Sequence, residues 1–321
     1  MTDDYLWDKS GPPDPEVQRL EQVLGVLSPR KPFLVPPQPA RAPARLWFLV
    51  IAFAAAAAAV VAMIMIWLPR RSRAPECFVV RVEGEPTIGS KNLGGRAKLR
   101  EGEWLETDTR SRAKVSIGRI VTVDVEPNTS LQLVRVHPSE DRISLRRGKM
   151  HATIFAPPRL FFVDTPSAVT IDLGCAYTLE VDGEGNTRVE VTHGMVSIVL
   201  DGRESFIPQG AVCVARKGIG PGTPYYRDAA PALVSALEQF DRNSDPKALQ
   251  AVLTEANAHD AFTLWHLIGR TSGPARLSLV SKLAALAPPP AGVSAAKAEQ
   301  GDPETLRVWF EDICPQAHRL R

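Results

Sequence analysis

The sequence predicts a mainly β domain, an antiparallel sandwich or a solenoid-like roll, followed by a C-terminal all-α helical bundle and preceded by one transmembrane helix. Three observations predict it. Apolar residues alternate with a period of two from Phe78 to about Thr223, the repeat of a half-buried strand. Beyond "PGTPYYRDAAP" the spacing becomes helical. Before the strands, the 23 residues Leu46–Leu68 carry no charge at all. The chain of 321 residues therefore divides into a stub with a short amphipathic helix (1–28), a Pro-rich linker (29–45), the apolar span (46–68), the β domain (77–223) and the helical domain (229–321).

The stub holds one helix signal. Asp14 suits an N-cap, Pro15 the first helical position, and Glu16 the positive end of the helix dipole. Val17, Leu20, Leu24 and Leu27 then recur on one face, and Trp7 lies just upstream in "YLW". A helix this short is marginal alone in water, so its apolar stripe is either meant for a partner or left unused. The linker that follows places six Pro within "SPRKPFLVPPQPARAPAR", the composition of an extended polyproline spacer.

As a helix, Leu46–Leu68 would reach ~35 Å, against a hydrocarbon core of ~30 Å. Trp47 and Trp67 sit near its ends, where amphipathic rings prefer the interface. Basic residues flank both sides: Lys31, Arg41 and Arg45 before it, Arg70, Arg71, Arg73 and Arg81 after it. That balance decides no orientation. All four cysteines, Cys77, Cys175, Cys213 and Cys314, follow the span, which argues for an oxidising compartment on that side.

In the β region, "RAKVSIG" places Ala113, Val115 and Ile117 on one face, and "IVTVDV" aligns Val121, Val123 and Val125. Turn sequences such as "EPNTS", "RRGK", "DGEGN" and "THGM" punctuate the runs, and Gly148 and Gly194 occupy the same place in two similar turns. Cys175 is in phase with Ile171, Leu173, Tyr177, Leu179 and Val181, while Cys213 lies in "AVCVA". A Cys175–Cys213 disulfide closing a loop of 38 residues would stabilise by ~3–4 kcal/mol; two buried free thiols are the other expectation.

These runs, "LREGEWLETDTRSRAKVSIG", "ISLRRGKMHATIF", "FFVDTPSAVTIDLGCAYTLEV" and "VEVTHGMVSIVL", resemble the FecR-domain family across roughly residues 77–220. The landmarks are Gly102, Gly148, Thr165-Pro166, Gly194 and Gly210. The family commonly has Gly-Thr where this chain has Gly174-Cys175. The resemblance implies an extracytoplasmic β domain, a cytoplasmic N-terminus at the inner membrane, and a role in regulating an extracytoplasmic-function sigma factor. Residues 1–28 would then meet the sigma factor or a similar cytoplasmic partner, with Trp7, Val17, Leu20, Leu24 and Leu27 as the contact.

Five helices are expected at the C-terminal end, with Leu233, Leu237 and Phe240 on the first and Leu249, Val252 and Leu253 on the second. Phe262, Leu264, Trp265, Leu267 and Ile268 belong to the third, Leu277, Val280 and Leu283 to the fourth, and Leu306, Trp309 and Phe310 to the fifth. Asp245-Pro246 and Asp302-Pro303 open two of them. Such bundles present surfaces to other proteins; a lid folded on the β domain is the alternative.

Catalytic motifs are missing: there is no His-Glu-x-x-His, Gly-x-Ser-x-Gly or P-loop. His151, His193 and Cys175 make a weak nucleophile set, and His259 and His266 have no partners at zinc spacing. No enzyme activity, cofactor or metal is expected. With 38 Lys+Arg against 36 Asp+Glu, the charge balance argues against direct nucleic-acid binding. Two functions follow: a single-pass regulator that relays an envelope signal to a sigma factor, or an envelope scaffold whose residues 77–321 bind other proteins.

Overall fold

The structure, a computed structural model, describes residues 15–26, 63 and 76–320. The chain forms two compact units, Met1–Pro69 and Arg70–Arg321. In the first, helix α1 (Pro15–Gly25) starts at the expected proline and buries none of its residues. The expected span at 46–68 lies outside the described residues except for Met63, and among the described residues no helix is long and apolar enough to cross a membrane. The fold class is corrected accordingly, to a mainly β structure with C-terminal helices.

The second unit begins with β1 (Cys77–Glu83), β2 (Thr87–Ile88), β3 (Lys91–Asn92), β4 (Arg96–Lys98), β5 (Trp104–Glu106) and β6 (Arg112–Ile117). It continues with β7 (Val121–Val125), β8 (Ser130–His137), β9 (Glu140–Ile154), β10 (Phe161–Asp164), β11 (Val169–Asp172) and β12 (Ala176–Val181). The last strands are β13 (Thr187–His193), β14 (Met195–Leu200), β15 (Arg203–Pro208), β16 (Ala211–Arg216), β17 (Gly220–Pro221) and β18 (Tyr225–Tyr226).

These strands make one hydrogen-bonded network folded into two facing layers, because β9 belongs to both. Its first half pairs with β8 and β10, its second half with β7 and β12. On one layer the ladder runs β1, β6, β7, β9, β12, β13, β16. The other runs β2, β5, β8, β9, β10, β11, β14, β15. Both apolar registers expected from the sequence face the space between: Val115 sits opposite Val123, and Ala113 opposite Val125, each at most 2% exposed. Ladders are antiparallel except β9 with β10. That parallel pair arises because the chain leaves the layer through the second half of β9 and returns to it as β10.

The layer change within β9 is made at Gly148, whose φ of 91° lies in the left-handed region that side chains avoid. A Cβ there would stand 2.5 Å from Thr129 Cα and 2.7 Å from the Asn128 carbonyl oxygen. Gly194, φ 76°, makes the reverse crossing between β13 and β14. The two similar turns read from the sequence are thus two corners of one roll.

The helices are α2 (Pro231–Asn243), α3 (Pro246–Glu255), α4 (Ala261–Ile268), α5 (Gly273–Leu286), α6 (Ala295–Glu299) and α7 (Pro303–Ile313). Asp245 and Asp302 cap α3 and α7 through the backbone N–H groups of Lys247 and Thr305. The expected stripes are buried except that Leu253, Trp265 and Leu306 are half-buried, and Leu277 on α5 is 44% exposed while Leu279 takes the inward place. The helices form no separate bundle. Phe262, Phe310, Cys314 and Ala317 share the core of the β layers, and Val212 and Tyr225 of the β region join the core of the helices.

Candidate functional site

Two surfaces stand out, one in each unit. On α1, Leu20 and Leu24 are 60% and 57% exposed, and Val17 is half-buried. The helix forms because Pro15 and Glu16 favour its start, yet none of its residues is buried. Trp7 and Leu27, read with it as contact residues, lie outside the described residues.

In the second unit the helices meet the edge of β15 and leave a groove of about 400 Å³ lined by Phe206, Trp265, Leu306, Phe310 and Ala317. Trp265 stacks on Phe310 with centroids 4.2 Å apart, and its indole N–H donates to the Leu306 carbonyl at 2.7 Å. Charges on the rim are spent on one another: Arg159 with Glu204 at 4.0 Å, and Arg307 with Glu304 and Glu311.

Beneath the groove a polar junction fastens helix to strand. Nε2 of His266 accepts the Phe206 backbone N–H at 3.0 Å, and its Nδ1–H donates to the Phe262 carbonyl at 2.8 Å. The bond accepted at Nε2 requires the neutral ring, and burial pushes the His266 pKa down to about 3. One turn on, the Arg270 guanidinium donates to Asp241 Oδ1 (2.9 Å), Thr223 Oγ1 (2.8 Å), Ser205 Oγ (2.6 Å) and the Gly222 carbonyl (2.6 Å). Sequence reasoning found for His266 only that it has no partners at zinc spacing, and passed over Arg270. The available signal was a His and an Arg at i and i+4 in the otherwise apolar "AFTLWHLIGR".

The remaining sequence candidates are not brought together. His151 bonds Thr178 Oγ1 at 2.8 Å on the outer face of its layer, His193 is exposed at the end of β13, and Cys175 points inward to Asp172. His259 stacks on Tyr226 at 4.1 Å, away from the buried His266. Cys175 and Cys213 are both free and buried. Cys213 sits opposite Val189 of β13, which sits opposite Leu179 of β12, so two ladder steps and four residues separate it from Cys175. A disulfide needs Cα atoms within ~7 Å, so this arrangement does not make the Cys175–Cys213 bond. Among the described residues no group of three or more His, Cys, Asp or Glu could hold a metal ion.

Comparison with known proteins locates the similarity in the β region. Residues 103–197 match the family described as FecR protein, so this segment is a FecR-family domain, running from β5 to β14. No curated protein matches the chain. Two crystal structures, at 2.50 and 1.65 Å resolution, of a protein from Parabacteroides distasonis ATCC 8503 described as a "putative anti-sigma factor" are similar. Each has 14% identity, 42% of this chain and 64% of that chain covered, and a TM-score of 0.34. The chain thus spans less than two thirds of that protein's length, and likeness at this level establishes neither fold nor function.

Proposed function

We propose that this chain, with its FecR-family domain at residues 103–197, regulates a sigma factor, with α1 as the contact and residues 70–321 as the part that receives the signal. The observation that carries this reading is the match to the FecR family. The exposed Leu20 and Leu24 supply a contact of the right kind, an amphipathic helix laid into a partner's groove. Burying Val17, Leu20, Leu24 and Leu27 is worth a gross ~6–10 kcal/mol. Ordering the helix and losing rigid-body freedom offset much of that, which leaves an affinity on the order of micromolar. In this reading residues 70–321 lie outside the cytoplasm, so an alkaline-phosphatase fusion at the C-terminus is active.

The test measures binding of the full chain to a panel of sigma factors from the same cell. One member binds; Leu20→Asp and Leu24→Asp abolish that binding, and Arg19→Ala and Gln22→Ala leave it within about twofold. If no sigma factor binds, or if the two Asp variants bind like the parent, the regulator reading fails. The aromatic groove of Phe206, Trp265 and Phe310 favours a second reading, an envelope scaffold that binds proteins through residues 77–321, and that reading then takes over.

A further inference from the structure

One row of the β core carries two carboxyl groups where apolar side chains belong. Asp141 on β9 is paired with Phe161 on β10, the register of β10 with β11 sets Phe161 opposite Asp172, and Asp172 pairs with Val196 on β14. All four are at most 1% exposed. Asp141 and Asp172 thus flank Phe161 on the core side of one layer, two strands or roughly 10 Å apart.

Neither carboxyl is paired with a Lys or Arg. Among the described residues no ion pair reaches either, and both Asp141 oxygens are without a hydrogen-bond partner. Facing Asp141 are Cys77 of β1, whose thiol feels its charge, and the exposed His137 of β8. Asp172 accepts from Cys175 Sγ at 2.5 Å and from the Gly174 N–H at 3.1 Å. The Tyr177 hydroxyl, buried and unpartnered, also lies within range of its charge. Cys77, Cys175 and Tyr177 become negative on ionising, so they cannot offset a carboxylate, and the exposed His137 with its backbone N–H offsets the charge of Asp141 only in part, burial being the larger effect. A buried charge without a partner is shed by taking up a proton.

We propose that Asp141 and Asp172 form a proton-operated clamp in the sandwich core: neutral, they let this end of the two layers close, and ionised, they loosen it together with the first residue of β1. Burial pushes both pKa values up from 3.8 to about 6. A folded-state pKa raised above the unfolded one means that the stabilisation is complete below about 3.8 and is lost as pH rises through about 6. The clamp therefore closes on mild acidification. Cys77 is the first residue of β1, so the state of Asp141 is felt where the chain enters the roll. This holds whatever α1 binds.

The test is amide hydrogen exchange of the full chain at pH 7.5 and pH 5, corrected for intrinsic rates, for wild type and for Asp141→Asn/Asp172→Asn. His266 titrates in both proteins and cancels in the comparison. On going to pH 5, protection of β9, β10 and β11 should increase in the wild type relative to the double variant by roughly tenfold for each carboxyl. Equal pH dependence in the two proteins overturns the proposal. Carboxyl carbon NMR titration of the wild type decides independently, even if the variant fails to fold. Midpoints near pH 6 for Asp141 and Asp172 support the clamp, and midpoints below about 4.5 overturn it.

Discussion

In the sandwich, Asp141 and Asp172 face the core with no Lys or Arg paired to them. In the helical layer, His266 is buried and Arg270 nearly so, at 11% side-chain exposure, but each is bonded to groups from other elements. The β layers are held by a continuous apolar core and tolerate uncompensated polar groups inside it. The helices are held to β15 partly by polar bonds that depend on one protonation state. The difference teaches that a single compact unit can answer acid in two senses, with the sandwich tightening while its helical cover loosens.

The largest expected effect tests the junction. Arg270→Ala leaves the Asp241 carboxylate, 11% exposed, without its closest cation, and breaking a buried pair in this way costs about 3–5 kcal/mol. Urea unfolding should show the loss, with exchange in α2 and α4 rising before exchange in β6 and β7. A cooperative loss shared equally by all strands would erase the distinction between the two regions.

Next comes the corner of the roll. Gly148→Ala puts a Cβ against Thr129 Cα in a left-handed backbone, at a cost of about 2–3 kcal/mol. Its unfolding midpoint should fall while exchange at the His266 junction stays as in the parent. Comparable acceleration at Phe206 would show that sandwich and cover are less independent than their contacts indicate.

Acid sharpens the comparison further. His266 has its pKa lowered from 6.5 to about 3. A depressed folded-state pKa means that its stabilisation is present above 6.5 and is lost as pH falls through the window from 6.5 to 3. At pH 5 the loss is about 2 kcal/mol. Exchange of the Phe206 amide, corrected for intrinsic rate, should speed up between pH 7 and pH 5, and His266→Ala should abolish that dependence. Constant protection of Phe206 would place the opening elsewhere.

The smallest effect is expected on α1. Leu20→Asp and Leu24→Asp change the stability of the second unit by less than about 0.5 kcal/mol, because both side chains are exposed. Thermal melts of the full chain check this. A larger shift would mean that the stripe is already occupied within the chain.

Local periodicity made most of the fold legible. Val115, Ile117, Val121 and Val123 alternate because each alternate side chain enters the core, and Asp245-Pro246 and Asp302-Pro303 open helices because capping is a matter of neighbouring residues. What escaped depends on distant ones. "RISL" and "MHATIF" read as separate strands, but they are one strand, β9, bent at Gly148 between two layers. Cys175 was aligned with Ile171, yet the inward phase slips at Leu173, so that Thr170 and Asp172 face the core and Ile171 faces out. The apolar stripe on α1 was readable as far as Leu24, since amphipathicity is local. The bond from His266 to Phe206 joins residues 60 apart, and no helical repeat announces a partner at that distance.

His266 of α4 also caps the outer edge of β15. Strand β15 pairs with β14 on one side, and on the other its Phe206 N–H is taken by an imidazole. Pro208 has no N–H to offer. The C-terminal helices thus act as a stopper on an otherwise open strand edge, and open edges recruit further strands. A chain cut short after Tyr226 would carry that edge bare, next to the apolar faces that the helices now cover, and would assemble edge to edge into oligomers. The last third of the protein is therefore what covers that edge.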